Sequence, residues 1–240
     1  GTAALHLTLL SIGLKKNDII IMPSINFIAV YNLSITLGAK VILVDVDPLT
    51  GQMIPEKVLS LINSKNKNKI KAIVTMNLGG YPENIKKFFD IKKKFGLYLI
   101  EDACHALGSN FFYNNKLKKI GSCKYADIST FSLHPLKVIT SGEGGVISTN
   151  NHSLAKKIET LRSHGLKKNK KYYWKYTHED FGYNYRLSEI NCSLALSQLS
   201  KIENFIKKRK KIAQYYVKNL SPLKNFITLP SYKNFNLSSF

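Results

Sequence analysis

The 240-residue chain is poor in acids, arginine and cysteine, and each shortage bears on a class of function. Asp and Glu together number 15 against 36 Lys and Arg, a formal net charge of +21 that suggests a nucleic-acid ligand. The composition argues against that ligand. Arg162, Arg186 and Arg209 are the only arginines, whereas base and phosphate recognition favours the planar guanidinium fork. The lysines are spread among asparagines and isoleucines along the whole chain, as a general compositional bias would place them. Cys104, Cys123 and Cys192 are odd in number and widely spaced, with no C-x-x-C pair, so neither a disulfide framework nor a zinc knuckle is expected and a reducing, cytoplasmic setting is. The six histidines show no metal-ligand spacing. No apolar run approaches the roughly 18 residues of a membrane span, so no membrane partner is expected either. The sequence opens at Gly1 without methionine and ends in a polar stretch, which reads as a fragment of a longer protein.

What the chain does contain is alternation. Helical patterns at 3–12, 27–37 and 83–95 interleave with short apolar runs at 18–22, 40–46, 70–77 and 97–102. Two more strands are expected at 126–133 and 144–150, then helices at 151–163 and roughly 186–216. This order predicts an α/β fold with a mostly parallel central sheet flanked by helices. Residues 1–200 read as a large domain, and 201–240 as a linking helix and the start of a smaller one. "NSKNKNKIK" (63–71) reads as a polar surface loop. "KKNKKYYWKY" (167–176) is either a solvated connection or a lid or subunit contact.

In such sheets ligands bind beyond the carboxyl ends of the strands, which singles out two segments, and a helix start adds a third. "GTAALHL" sets Gly1 and Thr2 at a helix start, where free amides and the helix dipole suit a phosphate, although a plain cap has the same look. "EDACHALG" (101–108) ends an apolar strand on Asp102, a carboxylate that needs a cationic partner or backbone amides. "FSLHPLKVITSGEGG" (131–145) carries Lys137 between Ser132 and His134 on one side and a glycine cluster on the other. An amine partly withdrawn from water can form a Schiff base with an aldehyde. Lysine, carboxylate, hydroxyl and helix-start amides are together the requirements of pyridoxal phosphate.

Several stretches in order, "GTAALHL", "PSINFIAVYN", "GAKVILVDVD", "IEDACHALG", "ADISTFSLHPLK", "GEGGVIST", "LRSHG" and "GYNYRLSEI", resemble the DegT/DnrJ/StrS sugar-nucleotide aminotransferases of pyridoxal-phosphate fold type I. The resemblance implies that Lys137 is the Schiff-base and proton-shuttling residue and that Asp102 partners the pyridine nitrogen. It implies that Phe27 stacks on the cofactor, and that Thr2 and Ala3 amides with the Ser132 hydroxyl hold its phosphate. Asn184 would reach the phosphate of a neighbouring subunit, making a homodimer the active unit. His105 stands where many relatives have glutamine; a histidine there, with "FSLHPLK" and "LRSHG", resembles the branch acting in pseudaminic-acid synthesis. His134 would then lie near cofactor or substrate, unless it is merely structural. The implied reaction moves an amino group from glutamate to the 4-keto carbon of a UDP-linked 6-deoxy sugar. The rivals are a different 3- or 4-keto nucleotide sugar, a dehydratase, which Lys137 argues against, and a non-catalytic regulator or binding protein of the same fold. Arg186 is open between a phosphate contact and an ion pair with Glu189, and His164 between a substrate contact and none. Cys104 reads as a small core residue, and the Lys207–Lys211 run as a solvated helix face.

Overall fold

The computed structural model describes residues 1–63, 67–169, 171–231 and 237–239. In chain order the elements are α1 (Thr2–Ser11), β1 (Ile19–Pro23), α2 (Ala29–Thr36), β2 (Lys40–Val44), α3 (Pro55–Asn63), β3 (Ile70–Met76), α4 (Ile85–Phe95) and β4 (Tyr98–Asp102). They continue with β5 (Asn110–Tyr113), β6 (Lys116–Lys119), β7 (Ile128–Ser132), β8 (Gly145–Ser148), α5 (His152–Arg162), β9 (Leu166–Lys168), β10 (Tyr176–His178), α6 (Glu189–Leu199) and α7 (Ile202–Leu220).

Six strands form one sheet in the order β2-β1-β3-β4-β7-β8, parallel except for β8, which runs antiparallel to β7. The inner strands β1, β3, β4 and β7 are buried on both faces, apart from partly exposed Lys71 and Tyr98. That is why they read as continuous apolar runs rather than alternating ones. The two faces sort by residue parity. Ile20, Met22, Ala72, Val74 and Ile100 pack with α1, α2 and α5, whereas Ile19, Ile21, Ile73 and Leu99 pack with α3 and α4. Helix α1 is apolar all round and nearly all buried, because it lies between the sheet and two other helices. Helix α4 is amphipathic and ends at Gly96 in the left-handed region after three lysines that suit the negative end of its dipole.

The predicted strands and helices are found within a few residues of their expected bounds, with three differences. The helix expected over 186–216 is two helices, broken at Ser200–Lys201. The loop expected at 63–71 includes the first residues of β3, since the apolar face of that strand begins at Ile70; residues 64–66 lie outside the described residues. The segment 167–176 is flanked by the antiparallel pair β9–β10, with residue 170 outside the described residues. Helix α3 and the β5–β6 hairpin are additional, the hairpin capping a small cluster of Phe111, Ile120, Tyr125 and Phe131.

Helix α7 belongs to the support of the site. Its Ile206 is buried against Leu133, Val138 and Ile139, and Arg209 donates to the Lys137 carbonyl (3.0 Å). We predict that Ile206→Ala costs about 2–5 kcal/mol of stability in denaturant unfolding. A variant with an unchanged midpoint and slope would show that this contact holds nothing.

Candidate active site

The carboxyl ends of β4 and β7 open into a cavity of about 1290 Å3. Helix α1 starts at its wall. Leu5 N–H is the first to bond back into the helix, to Gly1 C=O, and no side chain caps the first turn, so the amides of Thr2, Ala3 and Ala4 are left to the cavity. The helix start is pressed hard on the sheet. A Cβ on Gly145 would lie 2.9 Å from Gly1 N and 3.1 Å from Ala4 Cβ, and one on Gly1 would lie 3.0 Å from Ser132 Oγ. The Ser132 hydroxyl is therefore beside the free amides, a donor set suited to a dianion.

Asp102 ends β4 and is buried, 2% exposed. Its Oδ1 accepts from Cys104 N–H (3.2 Å), the backbone bond considered for it from sequence. Burial pushes its carboxyl above the usual range, while Cys104 and the Lys137 ammonium pull it partly back. Burial likewise pushes the Cys104 thiol up, helped by the Asp102 charge, so this cysteine stays protonated, and it lines the cavity rather than the core. His105 is lowered to about 4, by burial first and then by Lys137, which leaves it neutral near pH 7. Glu101, on the opposite face of β4, bonds the Ser129 hydroxyl and is raised to about 7 by burial.

Lys137 sits in a tight turn after β7. Its N–H donates to His134 C=O (2.9 Å), Leu133 N–H to Gly144 C=O (3.0 Å) and Ser141 N–H to Leu133 C=O (3.0 Å). Asn191 of α6 donates to Ser141 C=O. The backbone carrying the amine is thus tied on every side. Among the described residues no carboxylate pairs with the Lys137 ammonium. His134 accepts from Leu136 N–H at Nδ1 (3.3 Å), so the neutral ring carries its proton on Nε2, which lies 3.9 Å from Glu143.

Thr2, Ala3, Phe27 and Asp102 line this one cavity, as do His105, Ser132, His134 and Lys137. Phe27 stands at the mouth, 70% exposed. Asn184 does not line it. It bridges Ser163 in an antiparallel pair and is exposed, between Tyr183 and Tyr185, whose stacked rings (5.0 Å) lie beside His6 of α1. His164 is exposed, with φ +62°, and is not in the lining. The ion pair considered for Arg186 and Glu189 is absent among the described residues. Arg162, Glu143, Tyr185 and Asn191 line the cavity and were not singled out as site residues from sequence. The rarity of arginine was the available signal for Arg162.

The family model for DegT/DnrJ/EryC1/StrS aminotransferases matches residues 1–239. The chain belongs to that family. It is 38% identical over 229 residues to the UDP-4-amino-4,6-dideoxy-N-acetyl-beta-L-altrosamine transaminase of Campylobacter jejuni serotype O:23/36, covering 95% of this chain and 58% of that protein. It is 37% identical to the GDP-perosamine synthase of Escherichia coli O157:H7, covering 93% and 57%. The structure superposes on Helicobacter pylori PseC, an aminotransferase of pseudaminic-acid biosynthesis, with TM-score 0.83 and 30% identity over 100% of this chain and 62% of that one. The chain thus spans about three fifths of these family members. Among the described residues no helix is long and apolar enough to cross a membrane, and no cluster of three or more His, Cys, Asp or Glu could hold a metal.

The residues fit pyridoxal phosphate: free helix-start amides and a hydroxyl for the phosphate, a buried carboxylate for a cationic ring nitrogen, and an unpaired amine for the aldehyde. The lowered His105 has a consequence for stability. The unfolded chain takes up its proton near pH 6.5 and the folded chain only near 4, so this contribution is complete above about 6.5 and lost as pH falls toward 4. His105→Gln is expected to flatten that part of the stability–pH curve, measured by urea unfolding; an unchanged slope would rule the contribution out.

Proposed function

We propose that this chain is the cofactor-binding part of a pyridoxal-phosphate aminotransferase that moves an amino group from glutamate to the 4-keto carbon of a UDP-linked 6-deoxy sugar, in pseudaminic-acid-type surface glycan synthesis. The observation that carries it is the meeting of Lys137, Asp102 and the uncapped start of α1 in one cavity. Bound pyridoxal phosphate supplies an electron-withdrawing ring that holds the amino group between donor and acceptor. The chain's own residues do the rest. The Lys137 amine takes and returns the proton at the reacting carbon, a general acid–base task. Asp102, whose burial alone favours its neutral form, would stay ionised beside a cationic ring nitrogen and help keep that nitrogen protonated. Thr2 and Ala3 amides with the Ser132 hydroxyl would hold the phosphate, and Phe27 would stack on the ring. His105, neutral near pH 7, adds no repulsion toward Lys137, and His134 offers an Nε2 proton to a substrate oxygen.

Residues 1–200 form the large domain in this reading, and α7 with the residues after it leads into a smaller one. The active unit is a cytoplasmic homodimer, in which exposed Asn184 reaches the phosphate of the neighbouring site; no nucleic acid takes part. A second reading, the same chemistry on another 3- or 4-keto nucleotide sugar, draws on the 37% identity to a GDP-perosamine synthase, nearly equal to that of the altrosamine transaminase.

Borohydride reduction of the full reading frame loaded with pyridoxal phosphate, followed by peptide mapping, tests the reading. The label is expected on Lys137 alone and is lost in Lys137→Ala. Folded protein without a label would leave a binding protein of the same fold. Asp102→Asn is expected to retain the label and lose about a hundredfold or more in turnover, as for removal of a preorganised charge.

A further inference from the structure

The loop that carries Cys104 and His105 into the cavity is tied at both ends to one turn, at 77–80 after β3. At the start of the loop Asp102 C=O accepts from Asn77 N–H (3.1 Å). At its end Ser109, fully buried, donates its hydroxyl to Gly80 C=O (2.6 Å). Between these points the chain makes two tight turns, Ala106 N–H to Ala103 C=O (2.8 Å) and Ser109 N–H to Ala106 C=O (2.9 Å). His105 lies inside this closed ring, between β4 and β5 and in neither.

A distant piece of chain seals the ring. Ser238 and Ser239 are buried, 4% and 0% exposed. Ser239 N–H donates to Ser109 Oγ (2.9 Å), the Ser239 hydroxyl lies 2.8 Å from the same oxygen, and the Ser238 hydroxyl donates to Gly79 C=O (2.7 Å). The one hydroxyl proton of Ser109 goes to Gly80, so Ser239 is the donor of the pair, and Ser109 Oγ gives one bond and takes two. Helix α7 presses on the same spot. A Cβ on Gly108 (φ +90°) would lie 2.5 Å from Ile206 Cδ1 and 3.6 Å from Ser239 Cβ.

A buried serine often does no more than bond its own helix, as Ser34 does to Val30 C=O. The bonds of Ser109 and Ser238 instead span 29, 130 and 159 positions and converge on one loop. A fully satisfied network of that reach fixes three segments against one another, which a local bond does not.

We propose that Ser109, sealed by Ser238 and Ser239, is a positioning residue that holds His105 at the wall of the cofactor cavity. What His105 faces there rests on the aminotransferase reading; how it is held does not.

The test uses the full reading frame with isotope-labelled histidine. The His105 ring is followed by NMR through a pH titration and identified by its loss in His105→Gln. The parent midpoint is expected at about 4, where burial and Lys137 hold it. Ser109→Ala opens the ring, and the midpoint is expected to rise by about one unit or more as water reaches the imidazole. Ser34→Ala, which removes a buried hydroxyl outside this network, is expected to leave it within about 0.3 unit. If Ser109→Ala does not fold, Ser239→Ala, which keeps the main-chain bond, decides by a rise of about half a unit. A midpoint within about 0.3 unit of the parent in the folded serine variant would overturn the proposal. Visible absorbance of pyridoxal phosphate added to the parent answers the other question. Protein that takes up none would discard the aminotransferase reading, while the titration would still judge the hold on His105.

Discussion

The close approach of α1 to the ends of β7 and β8 is the constraint on which the rest of this molecule depends. Gly1 and Gly145 meet at a distance that no side chain on Gly145 would permit, and Ser132 is beside them. That contact turns uncapped amides toward the space where β4 delivers Asp102 and the turn after β7 delivers Lys137. A helix start has a partial positive charge and unmet donors. A parallel sheet delivers several strand ends to one side. Joined without an intervening side chain, the two set a buried carboxylate, a lysine and free helix-start amides around one pocket.

Burial then divides the titratable groups by face and depth. Glu101 and Asp102 are consecutive in sequence but lie on opposite faces of β4. One is held by Ser129 inside the protein; the other faces the cavity with an amide and a distant ammonium for company. His105 and Cys104, next along the chain, are both kept neutral by the same loss of water. The loop after β4 thus adds no charge to the cavity beyond that of Asp102. The lysine surplus lies mostly on exposed faces, such as that of α4, and leaves the chemistry to single residues.

Much of this was legible in the sequence because the inner strands are buried on both faces, and a run such as Ile19–Met22 has no other reading beside glycine and proline signals. Asp102 and Ser132 were legible because each ends such a run, and Lys137 because it lies in the turn just beyond one. The β5–β6 hairpin and α3 were not, since their apolar residues are few and the lysines of β6 mask its alternation. The break at Ser200–Lys201 was hidden because α6 and α7 lack proline or glycine between them and their helical patterns abut. Asn184 is legible only by resemblance; what the fold adds is that it is exposed beside two tyrosines stacked against His6. Arg162 was not legible as a cavity residue, because nothing in "LRSHG" announces a cavity. Only the pairing of residues 161–163 with 183–185 puts it there.

Helix α7 supports the turn bearing Lys137 through Ile206 and Arg209. The same helix runs on for more than a turn beyond Arg209 with its apolar side chains, Ile212, Tyr215 and Val217, exposed. One rod thus joins an exposed apolar face at its far end to the turn carrying Lys137 at its near end.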